Sequence, residues 1–108
     1  MKIPMIFYKP ISKEVEIEFP FYYKSEYLDG NYRSKSYMMV LEDGTQITVY
    51  EDSGDTLTWR KDKIAFTNLP IKLFGENNTT FDMKYTIISK KDFLQQYRKF
   101  MKEATLND

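Results

Sequence analysis

The 108-residue chain contains no cysteine and no histidine. Without cysteine it cannot form disulfides, thiolate nucleophiles, zinc–thiolate sites or iron–sulfur clusters. Without histidine it lacks the usual general base near neutral pH and the commonest protein ligand of transition metals. The side chains that remain for catalysis exclude most familiar mechanisms for one chain acting alone. We therefore expect a protein that is not an enzyme and that holds no cofactor and no metal ion.

Net charge and long hydrophobic runs are missing as well. Sixteen Lys and Arg residues balance sixteen Asp and Glu residues, so no overall charge attracts the chain to nucleic acid or to basic partners. No segment approaches the ~20 apolar residues of a transmembrane helix, and residues 1–10 lack the apolar stretch of a signal peptide. We expect no membrane contact and a cytoplasmic location. The frequent Lys, Ile, Tyr and Asn residues suit an AT-rich bacterial or phage genome.

Apolar and polar residues alternate along most of the chain between residues 2 and 88, which is the pattern of strands with one buried face. The clearest example is the segment in which Val15 and Ile17 alternate with Glu14, Glu16 and Glu18. A row of glutamates of this kind is typical of the solvated face of a strand and of edge protection. We interpret these glutamates as surface residues.

A hairpin is predicted at Asp43-Gly44, which is a favoured pair for a two-residue turn. Such a turn fixes the residues that face each other, and it places Val40 opposite Ile47. One face of this hairpin is then wholly aliphatic, as burial of one side requires.

A second hairpin is predicted with its turn at Lys61-Asp62, which would place Trp59 opposite Ile64 on an apolar face. Lys-Asp is a poor pair for a two-residue turn, because both residues would need positive φ angles. A longer loop with a similar register is the alternative.

The period changes near residue 89. Phe93, Tyr97 and Phe100 recur at helical spacing, so they indicate one apolar face of a helix from about residue 90 to 104. Ser89 is a suitable N-cap, and Asp92 suits the positive end of the helix dipole.

One domain covering residues 1–108 is the simplest organisation. We predict an α+β fold of mostly antiparallel strands, about seven of them between residues 2 and 88, with one C-terminal amphipathic helix. The strands could roll into a small barrel or sandwich plugged by the helix, which resembles the layout of pleckstrin-homology-like domains. They could also form one curved sheet with the helix across its concave face. We favour the first arrangement because the strand number and the terminal helix match it, although no motif identifies a family.

Aromatic residues make up 17% of the chain, more than a domain of this size needs for its core. Periodicity assigns seven rings to the core: Phe7, Phe19, Trp59, Phe66, Phe93, Tyr97 and Phe100. It leaves out a group of tyrosines between residues 22 and 50. Because tyrosine combines contact area with a polar tip, such a group is typical of a protein interface. The alternative is that these rings partly cover a thin sheet or a self-association edge.

Two binding functions follow from these observations. The first is a non-catalytic interaction module that binds a protein partner, or a second copy of itself, through a Tyr-rich surface. The second is single-stranded nucleic-acid binding through Arg33, Lys35 and Tyr37, which alternation along a strand would place on one face. The candidate binding residues from both hypotheses are Tyr22, Tyr23, Tyr32, Arg33, Lys35, Tyr37 and Tyr50.

Overall fold

The computed structural model describes residues 1–6, 12–29, 32–51, 57–70, 73–74, 79–80 and 83–106. A single 3₁₀ turn, Phe66–Asn68, follows the sixth of its strands. The other elements, in chain order, are β1 (Lys2–Ile6), β2 (Ser12–Glu16), β3 (Phe21–Asp29), β4 (Tyr32–Val40), β5 (Thr45–Glu51), β6 (Leu57–Lys63), β7 (Thr79–Thr80), β8 (Met83–Ile87) and α1 (Lys90–Leu106). The predicted fold class is therefore confirmed: an α+β fold with antiparallel strands and a C-terminal helix.

Six of these strands form one antiparallel sheet in the order β6-β5-β4-β3-β8-β7, while β1 and β2 pair separately with each other. The outermost strands of the described sheet, β6 and β7, do not pair, so the described strands do not close into a barrel. The favoured barrel arrangement is thus wrong, and the helix instead lies across one face of an open sheet. The reason is that β1 and β2 satisfy each other as a hairpin rather than bridging the two sheet edges.

Each face of the sheet carries its own apolar cluster. We call the face under β1, β2 and the 3₁₀ turn the hairpin face, and the face under α1 the helix face. The hairpin-face cluster contains Ile3, Met5, Ile17, Phe21, Tyr23, Met38, Val40, Leu69 and Leu73. The helix-face cluster consists of Tyr37, Val49 and Phe93, with Tyr22, Met39, Ile47, Ile88, Leu94, Tyr97 and Phe100 packed against them.

The helix begins at Lys90, as predicted. The Ser89 hydroxyl accepts a hydrogen bond from the Asp92 N–H at 3.1 Å, which is the expected N-cap. Phe93 is only 1% exposed, and its ring centroid lies 5.6 Å from that of Tyr22 and 6.0 Å from that of Tyr97. The predicted apolar face of the helix is therefore the face that meets the sheet. No helix in the described ranges is long and apolar enough to span a membrane.

The β4–β5 hairpin forms where the sequence predicts it, but its register differs by one residue. Val40 lies opposite Gln46, and Met38 lies opposite Thr48. Ile47, the predicted partner of Val40, lies instead opposite Met39 on the helix face. Met38 and Val40 consequently lie on the hairpin face of the sheet, whereas Met39 lies on the helix face.

The cause of this shift is a three-residue loop, Glu42 to Gly44, in place of the two-residue turn. Leu41 N–H donates to the Thr45 carbonyl at 2.8 Å, so Leu41 and Thr45 already belong to the ladder. Gly44 has a φ of 88°, the left-handed conformation that closes a three-residue hairpin loop. An Asp-Gly pair is compatible with both loops, so it did not settle the register.

The second predicted hairpin is wrong. Residues Leu57–Lys63 form one uninterrupted strand that pairs with β5 along its whole length, from Leu57 opposite Glu51 to Lys63 opposite Thr45. Lys61-Asp62 has no tendency to positive φ, and β5 offers a continuous partner instead. Trp59 is therefore not a core residue: it lies on an edge strand opposite Val49 and is 42% exposed.

The remaining aromatic core predictions hold in part. Phe19 and Phe66 are half-buried and contact each other with ring centroids 5.0 Å apart, next to the hairpin-face cluster. Tyr97 and Phe100 are half-buried against the helix-face cluster. Phe7 lies outside the described residues.

Candidate functional site

The tyrosines that the sequence marks as binding residues do not form one surface. Strand alternation places Tyr22 and Tyr37 on the helix face and Tyr23 and Tyr50 on the hairpin face. Tyr32 is part of β4, but its side chain is outside the described set. A single Tyr-rich surface from residue 22 to 50 is therefore not what this sheet presents.

Two of these tyrosines are buried. Tyr23 is 5% exposed and donates a hydrogen bond from its hydroxyl to Gln46 Oε1 at 3.1 Å. Burial raises the pKa of Tyr23 to about 12, with a smaller contribution from Tyr85. Tyr37 is 8% exposed, and its pKa is raised by burial first and then by nearby carboxylates. Neither ring offers an accessible anchor in the folded protein, whereas Tyr22 and Tyr50 are half-buried.

The basic residues of the nucleic-acid hypothesis share the helix face with Tyr37, but carboxylates flank them. Lys35 lies directly opposite Glu26 on β3 and Glu51 on β5. Arg33, two residues away, is exposed. Because carboxylates on both sides offset the positive charge of Lys35, this stretch offers phosphate little attraction.

A row of hydroxyl groups crosses the hairpin face. The strand registers align one hydroxyl residue from each of five adjacent strands: Tyr85, Ser25, Ser36, Tyr50 and Thr58. Their sequence positions are widely separated, so no local motif predicts the row. The sheet brings them together.

An open cavity of about 330 Å³ lies at the β6 end of this row. Ser36, Thr48, Tyr50, Thr58 and Arg60 line it. Thr48 is buried, and within the described residues its hydroxyl oxygen has no hydrogen-bond partner. Among the described residues, this lining supplies hydroxyl groups and one guanidinium.

A smaller cavity of about 200 Å³ lies between the helix face and the first turns of α1. Lys24, Tyr37, Asp92 and Gln96 are among its lining residues. Lys24 is already paired with Glu26, with 3.1 Å between Nζ and Oε1. The residues that line this cavity carry charges of both signs, so the cavity indicates no particular ligand. No cluster of three or more Asp or Glu residues in the described ranges could hold a metal ion.

One edge of the described sheet is formed by β6. Among the described strands, β5 is the only neighbour of β6, and residues 58 to 61 are all exposed. Trp59 lies in the middle of this edge with Lys61 and Lys63 on the same face. The opposite edge of the described sheet is β7, which is only two residues long. Sequence analysis missed the edge because it assigned Trp59 to the core of a hairpin.

The peptide groups along this edge can be assigned from two hydrogen bonds. Leu41 N–H donates to the Thr45 carbonyl, so the odd-numbered residues of β5 direct their peptide groups toward β4. The even-numbered residues of β5 then face β6, where their partners are also even-numbered. Ile64 N–H donates to the Gly44 carbonyl at 2.9 Å and continues this even-numbered set. The peptide groups that point away from the sheet are therefore those of Leu57, Trp59, Lys61 and Lys63.

The charged side chains of β6 are only partly satisfied within the chain. Arg60 Nε lies 2.6 Å from Asp62 Oδ2, an ion pair that occupies one of the guanidinium nitrogens. Lys63 Nζ lies 3.2 Å from Asp43 Oδ2 and donates to the Asp43 carbonyl at 3.0 Å. Charges at a strand edge oppose indiscriminate pairing with other strands. A strand that binds here must match them.

Comparison with known proteins adds no analogy to this geometry. A scan of protein-family models, a search of curated proteins and a search of solved structures each found no match to the chain.

Proposed function

We propose that the protein is a non-catalytic, cytoplasmic interaction module that binds an extended segment of a partner protein along β6. The observation that supports this proposal is a seven-residue edge strand that carries a 42% exposed tryptophan at its centre. Strand addition to a sheet edge is a common mode of peptide recognition, in which main-chain hydrogen bonds supply affinity and alternate side chains supply specificity.

Trp59 is the expected anchor of this interface. Tryptophan is enriched among the residues that dominate binding energy, since it buries a large area on association. Trp59 lies opposite the buried Val49 in the strand register and is itself exposed, so its ring is accessible to a partner.

The sequence-based candidates relate to this interface in different ways. Tyr50 lies opposite Thr58, one strand from the edge, and remains a candidate contact on the hairpin face. Tyr22 lies against Phe93 under the helix, away from β6. We therefore centre the proposed interface on Trp59 rather than on the tyrosines. Nucleic-acid binding is the weaker alternative because Lys35 is flanked by Glu26 and Glu51.

The test is capture of partners from the native host with three forms of the protein: the natural chain, Lys61→Ala and Lys61→Pro. Both substitutions remove the lysine charge, but only proline removes the outward N–H. We expect a partner that is retained by Lys61→Ala and lost by Lys61→Pro and Trp59→Ala. The outward position of the Lys61 N–H also predicts that Lys61→Pro keeps the circular dichroism spectrum of the natural protein.

Residue-level amide exchange on the captured complex locates the contact. The N–H groups of Trp59, Lys61 and Lys63 should become protected, because strand addition would give each of them a carbonyl acceptor. A partner that Lys61→Pro retains in full would refute the proposal. Binding of a single-stranded oligonucleotide tighter than about 100 μM at physiological salt would favour the nucleic-acid alternative.

A further inference from the structure

We infer that β6 pairs antiparallel with β6 of a second copy of the chain, about a two-fold axis that passes through Lys61. This inference rests on the proposed use of β6 as a binding edge and names its partner. It draws on the outward peptide groups of β6 and on the order of charges along the strand.

The outward peptide groups restrict the possible registers. In a symmetric antiparallel pair, the outward odd-numbered residues of one copy must face odd-numbered residues of the other, so that their N–H and C=O groups exchange hydrogen bonds. Three registers keep most of β6 paired, and they are centred on Trp59, Arg60 and Lys61. All three satisfy the backbone, so the side chains decide between them. The register centred on Trp59 places Arg60 opposite Thr58, so it forms no ion pair between the copies.

The register centred on Arg60 places Arg60 directly opposite its own copy. The register centred on Lys61 places Arg60 opposite Asp62 of the second copy, and this happens twice by symmetry. One pair of like charges at the centre is thereby replaced by two pairs of opposite charges on the hairpin face. The Arg60 nitrogens not used by Asp62 of the same chain are available for this contact. Charge order therefore favours the axis at Lys61.

The same register suits the other side of the strand pair. Trp59 lies opposite Lys63 of the second copy, again twice. The ammonium group of Lys63 is paired with Asp43 of its own chain, so its methylene stem is the part of the side chain that would contact the indole ring. Only Lys61 meets a like charge, and both Lys61 side chains are exposed to water, which weakens the repulsion.

The resulting assembly is a closed pair in which the two sheets join into one. Each exposed β6 edge is covered by the other, so this edge of the described sheet no longer faces solvent. The interface is small, because it consists of one strand pair and two tryptophans. Interfaces of this size associate weakly.

Sedimentation equilibrium from about 5 μM to about 1 mM, where small interfaces associate, measures this pairing. We expect a reversible dimer. Arg60→Asp and Asp62→Arg should each weaken it at least about tenfold, since each places like charges opposite one another. The double variant, Arg60→Asp with Asp62→Arg, should restore it. Arg33→Asp, the same change on an exposed arginine outside β6, is the matched control and should leave the dimer intact.

Backbone variants provide the second measurement. Lys61→Pro should abolish the dimer because it removes both hydrogen bonds that the two Lys61 N–H groups donate at the axis. Lys61→Ala should retain or strengthen it, because it removes the one like-charge contact. A dimer that survives Lys61→Pro, or a double variant that fails to restore association while it stays folded, overturns the inferred pairing.

The outcomes also separate this inference from the function on which it rests. A chain that stays monomeric up to about 1 mM, yet captures another protein in a way that Lys61→Pro abolishes, overturns self-pairing and leaves strand addition in place. If the chain is monomeric and its captured partners also bind Lys61→Pro, both self-pairing and strand addition at β6 are overturned. Both are supported if Lys61→Pro abolishes the dimer and if the double charge variant recovers the association that each single charge variant loses.

Discussion

Asp43 is the residue whose charge matters most clearly to the fold. Its carboxylate accepts a hydrogen bond from the Thr45 N–H at 2.9 Å and pairs with Lys63 at 3.2 Å. The bonds from Thr45, followed by those from Lys63, lower the pKa of Asp43 to about 2. A pKa lowered by folding contributes stability above the ordinary value near 4, and this stability is lost as the pH falls from about 4 to about 2.

Asp43→Asn should therefore flatten the dependence of stability on pH in this window. The measurement is the thermal midpoint of both proteins between about pH 2 and about pH 6. Glu42→Gln changes the exposed neighbour in the same loop and serves as the control. Parallel curves for the natural chain and Asp43→Asn would show that the carboxylate contacts are not formed in solution.

Phe93 and Trp59 provide a comparison between a buried ring and an exposed one. Phe93→Ala should lower the free energy of unfolding by about 3–5 kcal/mol, because the ring fills the centre of the helix-face cluster. Trp59→Ala should cost about 1 kcal/mol or less, as edge-strand surface residues do. Urea denaturation of both variants at low concentration, where association does not contribute, measures the difference. Similar decreases in the free energy of unfolding for the two variants would mean that Trp59 is buried in solution.

The β4–β5 hairpin depends on one glycine. Gly44 has a φ of 88°, and a Cβ atom at this position would lie 2.9 Å from the Ile64 carbonyl oxygen. Gly44→Ala should therefore destabilise the protein by about 1–3 kcal/mol through backbone strain and steric contact. Denaturant unfolding measures the loss, and Glu42→Ala in the same loop is the control. A neutral Gly44→Ala variant would mean that Gly44 does not hold a positive φ in solution.

The elements follow from the sequence more readily than their pairing does. The helix is predicted from the spacing of Phe93, Tyr97 and Phe100, because an amphipathic face is a local property of the chain. The β6 edge cannot be predicted in this way, because the alternation of Trp59 with polar residues fits both a hairpin core and an exposed edge strand. Whether Trp59 is buried or exposed depends on which strand lies beside β6. The hydroxyl row likewise exists only once five strand registers are fixed.

At the scale of the whole molecule, the sheet separates two apolar clusters, and this arrangement accounts for the aromatic content. Tyr23 belongs to the hairpin-face cluster and Tyr37 to the helix-face cluster. The chain has a radius of gyration of 14.9 Å, against roughly 13 Å expected for a compact domain of this length. A flat molecule with two covered faces uses more rings as core than a globule with one cluster. The excess of tyrosine reflects this layered structure as well as any interface.

This arrangement predicts how Tyr23 and Tyr37 ionise. Burial raises the pKa of Tyr23 to about 12 and raises that of Tyr37 as well, so folding holds a phenol neutral on each face of the sheet. A pKa raised by folding contributes stability below the ordinary value near 10, and this stability is lost as the pH rises from about 10 to about 12. The folded protein should therefore lose stability within this alkaline range.

A titration followed by phenolate absorbance tests this prediction. The native protein should release its last phenol protons above about pH 10, together with loss of near-ultraviolet circular dichroism. In guanidinium, all phenols of the unfolded protein should ionise in one step near pH 10. Tyr23→Phe should remove one late phenol and weaken the alkaline loss of stability, although it also removes the hydrogen bond to Gln46. If all phenols of the native protein ionise together near pH 10 while the fold persists, neither ring is buried in solution. The division of the tyrosines between two covered faces would then be wrong.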